Sequence, residues 1–361
     1  MSTLRAVAIS WLCVVSADAQ LERSPRQPVS TTVSLAAKDL PLSQVLGKVA
    51  EQTGSTIKSD LGEAEPKISL QLEREPFWTA IDRIAEQAGA RVSVLRNNGG
   101  IVLDKRGVEE RRPIVSYSGP FRFCVKRITS SLDLDTGARV YTAAVEVAWE
   151  PGLQPLFLES LPQDVVALDD KGNRHAVPDR GRSKAPVDGR MSLLIDVPLP
   201  SLPRTVSNLT RLEGRLEAIT PNKMLRFAFP TIDRLDASVK AAALPQLTHD
   251  RVTCKITKLV VAVNRWTVQV ALENPAGGTI LESYQPWDSN NVMALVSKDG
   301  KTLLLPNGYV RESESSRRAV LSYHFTKVAA LKPEEWSLVY QTPALVVTVP
   351  MTFSFEDVPL P

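Results

Sequence analysis

The chain has 361 residues, with 43 Lys and Arg against 40 Asp and Glu and a formal charge of +3. So weak a bias excludes the charge signature of a nucleic-acid-binding protein, and the length allows roughly two to four domains of ordinary size. Three cysteines are too few for a disulfide-stapled scaffold, so folding rests on apolar cores.

Arg5 precedes an apolar run from Ala6 to Val15 and then Ala17-Asp18-Ala19, an A-x-A cleavage pattern. Residues 1–19 therefore read as a secretory signal peptide, since the run is too short to span a bilayer. Cys13 lacks the small residues that precede a lipidated cysteine, which makes a lipoprotein the lesser reading. Cleavage removes Arg5 and Asp18 together and leaves the charge unchanged. No transmembrane segment is expected in the mature chain, and export places it in the periplasm or at the cell surface of a bacterium. Residues 20–30, with Pro25 and Pro28, read as a flexible lead.

A phrase then occurs twice. Val33-Ser34-Leu35, Pro41-Leu42, Val45-Leu46 and Val49-Ala50-Glu51-Gln52 with Gly54 return 35 positions later as Ile68-Ser69-Leu70, Pro76-Phe77, Ala80-Ile81 and Ile84-Ala85-Glu86-Gln87 with Gly89. In the first unit Thr31 to Ala37 alternates as a strand, Asp39-Leu40-Pro41 supplies a helix start with Asp as cap, and Leu42, Val45, Leu46 and Val49 form one helical face. Gly54 stops that helix, and Ser55 to Lys58 can supply a second short strand. The second unit repeats the plan with Ile68 to Leu72 and the face Phe77, Ala80, Ile81, Ile84. Asn97-Asn98-Gly99-Gly100 between Val92, Val94 and Ile101, Leu103 is a hairpin signal.

These residues resemble the short N-terminal domain shared by secretins and TonB-dependent receptors, over residues 31–104. The resemblance rests on the strand, the D-x-P-L helix entry, the E-Q-x-G exit and their repetition. It implies an α+β domain of duplicated β-α-β units, used in that family as a periplasmic docking module for partner proteins. Neither a secretin pore region nor a series of amphipathic membrane strands follows it.

Lys105 to Pro113 is a charged connector. Beyond it, short alternating runs such as Tyr141 to Trp149, Val165 to Leu168, Leu193 to Val197 and Leu225 to Phe229 are separated by Pro, Gly, Asn and Asp, the texture of all-β sandwiches. A second, fainter repeat relates Phe121, Phe123, Val125 and Ile128 to Val252, Cys254, Ile256 and Leu259, and Phe227-Ala228-Phe229 to Phe353-Ser354-Phe355. The expectation is two tandem sandwiches, 113–232 and 251–361, joined by a linker over 233–250. Alternation turns Cys124 outward and Cys254 inward, which disfavours a bond between them.

Candidate chemistry is sparse. His175, His249 and His324 have no second histidine or cysteine at ligand spacing, so neither a metal nor another cofactor is expected. Asp169-Asp170, followed by Lys171-Gly172-Asn173, reads as turn chemistry. The basic stretch Arg174 to Arg190 lacks interleaved aromatics and reads as a solvated loop rather than a nucleic-acid platform. Trp78, Trp149, Trp266 and Trp336 occupy core or half-core positions. Trp287, in a turn-rich segment, is the one candidate for a ligand-facing aromatic, with packing under a long loop as its alternative. No catalytic set stands out. The expectation is a non-enzymatic envelope protein that docks other envelope proteins; the alternative is a polysaccharide-binding protein of the cell wall using Trp287 and the basic stretch.

Overall fold

A computed structural model describes residues 28–361 apart from 63–64, 95–99, 108–109, 138, 179, 201, 204, 231, 233–244, 275–290, 316 and 330. The expected signal peptide, most of the lead, most of the linker, most of the Asn97–Gly100 turn and Trp287 lie outside the described residues. Most of the described chain is β-strand, arranged in several sheets.

The first elements are β1 (Thr32–Pro41), α1 (Leu42–Thr53), β2 (Ile57–Asp60), β3 (Lys67–Pro76), α2 (Phe77–Gln87), β4 (Ala90–Val94) and β5 (Ile101–Lys105). Strands β1 and β3 form an antiparallel pair, while β5 lies between β2 and β4. Both helices turn their apolar faces onto one core, where Val45, Val49, Ile81 and Ile84 meet Val33, Ile68 and Leu103. The 35-residue repeat has a physical basis in reciprocal bonds. Gln52 accepts from Ser34 N and donates to Ser34 O, and Gln87 does the same with Ser69. Leu42 N donates to Pro66 O and Phe77 N to Thr31 O, so each helix is started by the residue before the other unit's strand.

That last pair corrects the expected cap. Asp39 does not reach the amides of α1; it sits at φ 52° in an irregularity of β1, matched by Arg74 at φ 51° in β3. The N-cap is Pro41, and a backbone carbonyl and Glu65 Oε1 take the first two amides.

The β region runs β6 (Ile114–Ser118), β7 (Phe121–Leu132), β8 (Arg139–Trp149), β9 (Phe157–Glu159), β10 (Gln163–Asp169), β11 (Arg174–Ala176), β12 (Lys184–Pro186), β13 (Ser192–Pro198) and β14 (Asn208–Phe229), then β15 (Gln246–His249), β16 (Val252–Ala262), β17 (Arg265–Glu273), β18 (Val292–Ser297), β19 (Leu303–Leu304), β20 (Gly308–Ser315), β21 (Arg318–Thr326) and β22 (Trp336–Pro359). One core lies between the sheet β13-β8-β7-β6 and the stretch β11-β10-β14-β22. A second lies between β15-β16-β17-β21-β20 and the stretch β14-β22-β18-β19.

Strands β14 and β22 pair continuously from Asn208↔Pro359 to Phe229↔Leu338 and so run through both cores. Val349, Met351, Phe353 and Phe355 of β22 enter the first core, whereas Leu225, Phe227 and Phe229 of β14 enter the second. The final strand segment of each half thus completes the other. The halves also share a bulge: the register slips between Val125 and Arg127 in β7, and between Ile256 and Lys258 in β16.

Cys124 and Cys254 are free, and both are buried. Cys124 does lie on the face of β7 opposite Phe121 and Phe123, as alternation predicts, but that face does not reach solvent there. Its face of β7, two residues beyond Arg122, is covered by the N-terminal unit, and burial pushes the thiol pKa up. Burial likewise raises the pKa of Cys254 in the second core.

Candidate docking surfaces

The N-terminal unit is fastened to the first sandwich by a buried polar joint. Arg122, 1% exposed near the start of β7, sends Nε to Asp82 Oδ2 at 2.7 Å and Nη2 to Oδ1 at 2.9 Å, a bidentate pair reaching from β7 to α2. Tyr117 Oη donates to the same carboxylate at 2.7 Å, and the guanidinium lies 6.0 Å from the centre of the Trp78 ring. Burial alone would lower the Arg122 pKa; Asp82 more than offsets it, and the net direction is up. Trp78 Nε1 donates to Pro120 O, and the buried Glu150 accepts from Ser30 Oγ and Thr31 N. Ala148 and Met191 of the sandwich belong to the same apolar cluster as the two helices. This face of α2 is closed to any partner.

Other surfaces remain open. On the second sandwich β19 and β20 are the outermost strands of facing sheets, and the chain passes directly from one to the other. Along this path Leu303, Leu305, Tyr309 and Val310 are exposed, with Tyr309 resting on Tyr323 at 5.5 Å. Single exposed apolar residues are ordinary, but several together beside an open strand edge mark a place where another chain can pair. The bulge at Glu312 limits the regular edge to Gly308–Arg311.

A cavity of about 560 Å³ lies where the two sandwiches meet. Trp149, Met191 and Met224 line it with Gln154, Arg190 and Gln341, a size and mixture suited to a small ligand. Trp149 is itself buried and offers no open ring face for stacking.

The remaining sequence-level candidates are scattered. His175 and Asn173 hold the buried Asp169 carboxylate, which also accepts from Lys171 N; the pair of acids is a turn, as expected. His249 is exposed, with its ring beside that of the core residue Phe227, and His324 meets Thr267 on an outer sheet face. The basic stretch contains β11 and β12, and between them Arg182 is paired with Glu217 and Glu159. Among the described residues no three His, Cys, Asp or Glu gather as metal ligands, and no helix is long and apolar enough to cross a membrane. Sequence reasoning missed the Arg122–Asp82 joint. Its one signal was a guanidinium set between Phe121 and Phe123.

No family model matches the chain, and no curated protein matches it in sequence. Among solved structures, one titled "pT26-6p" aligns with 77% of this chain and 68% of its own at 7% identity, with a TM-score of 0.17 that carries no argument about fold or function.

Proposed function

We propose that this is an exported cell-envelope protein that docks other proteins and catalyses nothing itself. In this reading residues 31–104 serve as an α+β docking module of the secretin and TonB short N-terminal kind, and two tandem β-sandwiches present further edges. The observation that carries it is the open side of the second sandwich, where Leu303, Leu305, Tyr309 and Val310 border an exposed strand edge. Such an edge suits a partner's extended segment, bound by main-chain hydrogen bonds and anchored by the apolar side chains.

The test is capture of partners from bacterial envelope extract by the purified full-length chain, beside the double variant Leu305→Asp/Val310→Asp. Both positions are exposed, so unfolding should shift by less than about 0.5 kcal/mol while capture is lost. A variant that retains every captured protein would rule out this edge.

A second reading rests on the inter-sandwich cavity, where Gln154, Asp188, Arg190 and Gln341 present groups that bond sugar hydroxyls and carboxylates. It expects retention on cell-wall polysaccharide that Arg190→Ala abolishes. Trp287, the aromatic expected to take part, stands outside the described residues.

A further inference from the structure

The first sandwich is closed along one side by side chains rather than by a strand ladder. Past Gln341, β22 has β14 on one edge and no paired strand on the other. Ser118 Oγ and Ser116 Oγ of β6 cover that edge, accepting from Thr352 N at 3.2 Å and Ser354 N at 3.0 Å. The next core-facing residue of β6 is Ile114, where the strand begins, and β7 has no β6 partner past Val125. Where this seam ends, a hollow of about 470 Å³ opens between the connector, β7 and the end of β22.

Apart from prolines, its lining holds two kinds of side chain. Ile114, Val125, Ile128 and Leu360 are half-buried and pack against the first core, so the floor is core surface left uncovered. Arg111, Arg112, Lys126 and Arg127 supply the rest. No acid, hydroxyl, amide, imidazole or aromatic side chain lines it. That sets it apart from the inter-sandwich cavity, where Gln154, Asp188 and Gln341 can bond a polar ligand.

The two kinds of side chain favour different chemical groups. Uncovered aliphatic surface is stabilised by an apolar group that displaces water, and it makes no demand for hydrogen bonds. Of the cations, Arg112 is held by Glu86 at 3.2 Å and Lys126 by Glu146 at 2.9 Å. Arg111 and Arg127 have no carboxylate partner among the described residues, the Pro361 carboxylate at the margin included. Guanidinium groups take a carboxylate or a phosphate through two parallel bonds. A sugar would find neither neutral hydrogen-bonding side chains nor a ring to stack on, and a nucleotide base would find no aromatic platform.

We infer that this hollow binds an anionic amphiphile, a single hydrocarbon chain with a carboxylate or phosphate head. The chain lies on Ile114, Val125, Ile128 and Leu360, and the head meets Arg111 and Arg127. This goes beyond the docking of proteins and uses no residue of the β20 edge or of the inter-sandwich cavity.

The test is isothermal titration calorimetry of the full-length chain with dodecanoate and with dodecyl phosphate, each below its micelle-forming concentration. Both should bind at one site per chain. Arg111→Gln/Arg127→Gln, at two exposed positions, should weaken that binding about tenfold or more and leave urea unfolding unchanged. An equal charge loss elsewhere, Arg174→Gln/Arg226→Gln, should leave the affinity as it was. Acetate, which has the head without the tail, should not compete; dodecyl maltoside, which has the tail under a neutral head, should bind more weakly than dodecanoate. Equal affinity in Arg111→Gln/Arg127→Gln would overturn the proposal. So would displacement of dodecanoate by acetate at equal concentration, or dodecyl maltoside binding as tightly as dodecanoate. Binding to vesicles of phosphatidylcholine and phosphatidylglycerol with no binding of dodecanoate would also overturn it, in favour of a membrane-facing surface.

Discussion

In the first sandwich the outer face of β7 and β8 around Arg122 and Ala148 is closed by the N-terminal unit; in the second, the corresponding face of β16 and β17 is not. The shared bulge sets the correspondence, with Lys126 and Thr257 as the extra residues, so Arg122 matches Thr253 and Cys124 matches Lys255. The second face instead carries a polar row: Thr257 donates to Gln269, Gln269 to Ser322, and Ser322 to Glu312. One strand plan thus supports two surfaces of opposite character. What a face binds is decided by the residues placed on it: a single buried guanidinium recruits a helix in one half, and hydroxyls and amides keep the other half wet.

The largest expected effect breaks this difference at its origin. Asp82→Ala leaves Arg122 charged and buried with neither of its two carboxylate bonds, which costs about 3–5 kcal/mol. Thr253→Ala at the matching position, only half-buried, should cost less than about 0.5 kcal/mol. Urea unfolding followed by tryptophan fluorescence measures both. If Asp82→Ala is no worse than Thr253→Ala, the joint does not hold the two units together. Arg122→Met in the Asp82→Ala background should recover part of the loss, since it removes the orphaned charge.

The next effect tests whether the sandwiches are separable at all. Phe353 follows the second half in sequence yet packs in the first core, 5.7 Å from Phe123 and 5.3 Å from Phe355. Gly214, its cross-strand partner, has no room for a side chain: a Cβ there would lie 2.6 Å from Phe353 Cζ. Phe353→Ala should cost about 3–5 kcal/mol and Gly214→Ala about 1–3 kcal/mol, with the double variant costing less than their sum because the lost ring frees the space. Strict additivity in a double-mutant cycle would show that the two residues do not meet. Because β14 and β22 serve both cores, each variant should lower one common unfolding transition rather than a first or a second one alone.

These particulars also show what the sequence could and could not reveal. The 35-residue repeat was legible because each repeated residue has a local duty, Gln52 and Gln87 clamping Ser34 and Ser69. The crossing of β14 and β22 was not. Pro221 interrupts one strand and Pro343 and Pro350 the other, and a proline in a strand reads as a break because it cannot donate to the ladder. The match of Phe227-Ala228-Phe229 to Phe353-Ser354-Phe355 was visible as a repeat, but nothing in either triplet says that each lies in the opposite core. The Arg122–Asp82 joint joins residues 40 apart from different units, and composition marks only one end of it.

The smallest effect separates the two turns that follow β10 and β18. In the first, the Asp169 carboxylate accepts from Lys171 N, Asn173 N, Asn173 Nδ2 and His175 Nε2; in the second, Ser297 Oγ holds Thr302 N and donates to Asp299. His175 foremost, then Asn173, holds the Asp169 pKa well below its usual 3.8, while the Ser297 hydroxyl foremost lowers that of Asp299. A carboxylate whose pKa is depressed on folding stabilises the fold fully above its unfolded value and loses that contribution as pH falls through the folded one. Acid unfolding should therefore begin below the ordinary aspartate value, and Asp169→Asn, which cannot titrate, should flatten the pH dependence of the midpoint in that window more than Asp299→Asn does. The carboxylate with four bonds loses most on protonation, and Asn at 169 can replace only some of them. An equal flattening by both variants would mean that the His175 bond, absent from the second turn, contributes nothing to the difference between the halves.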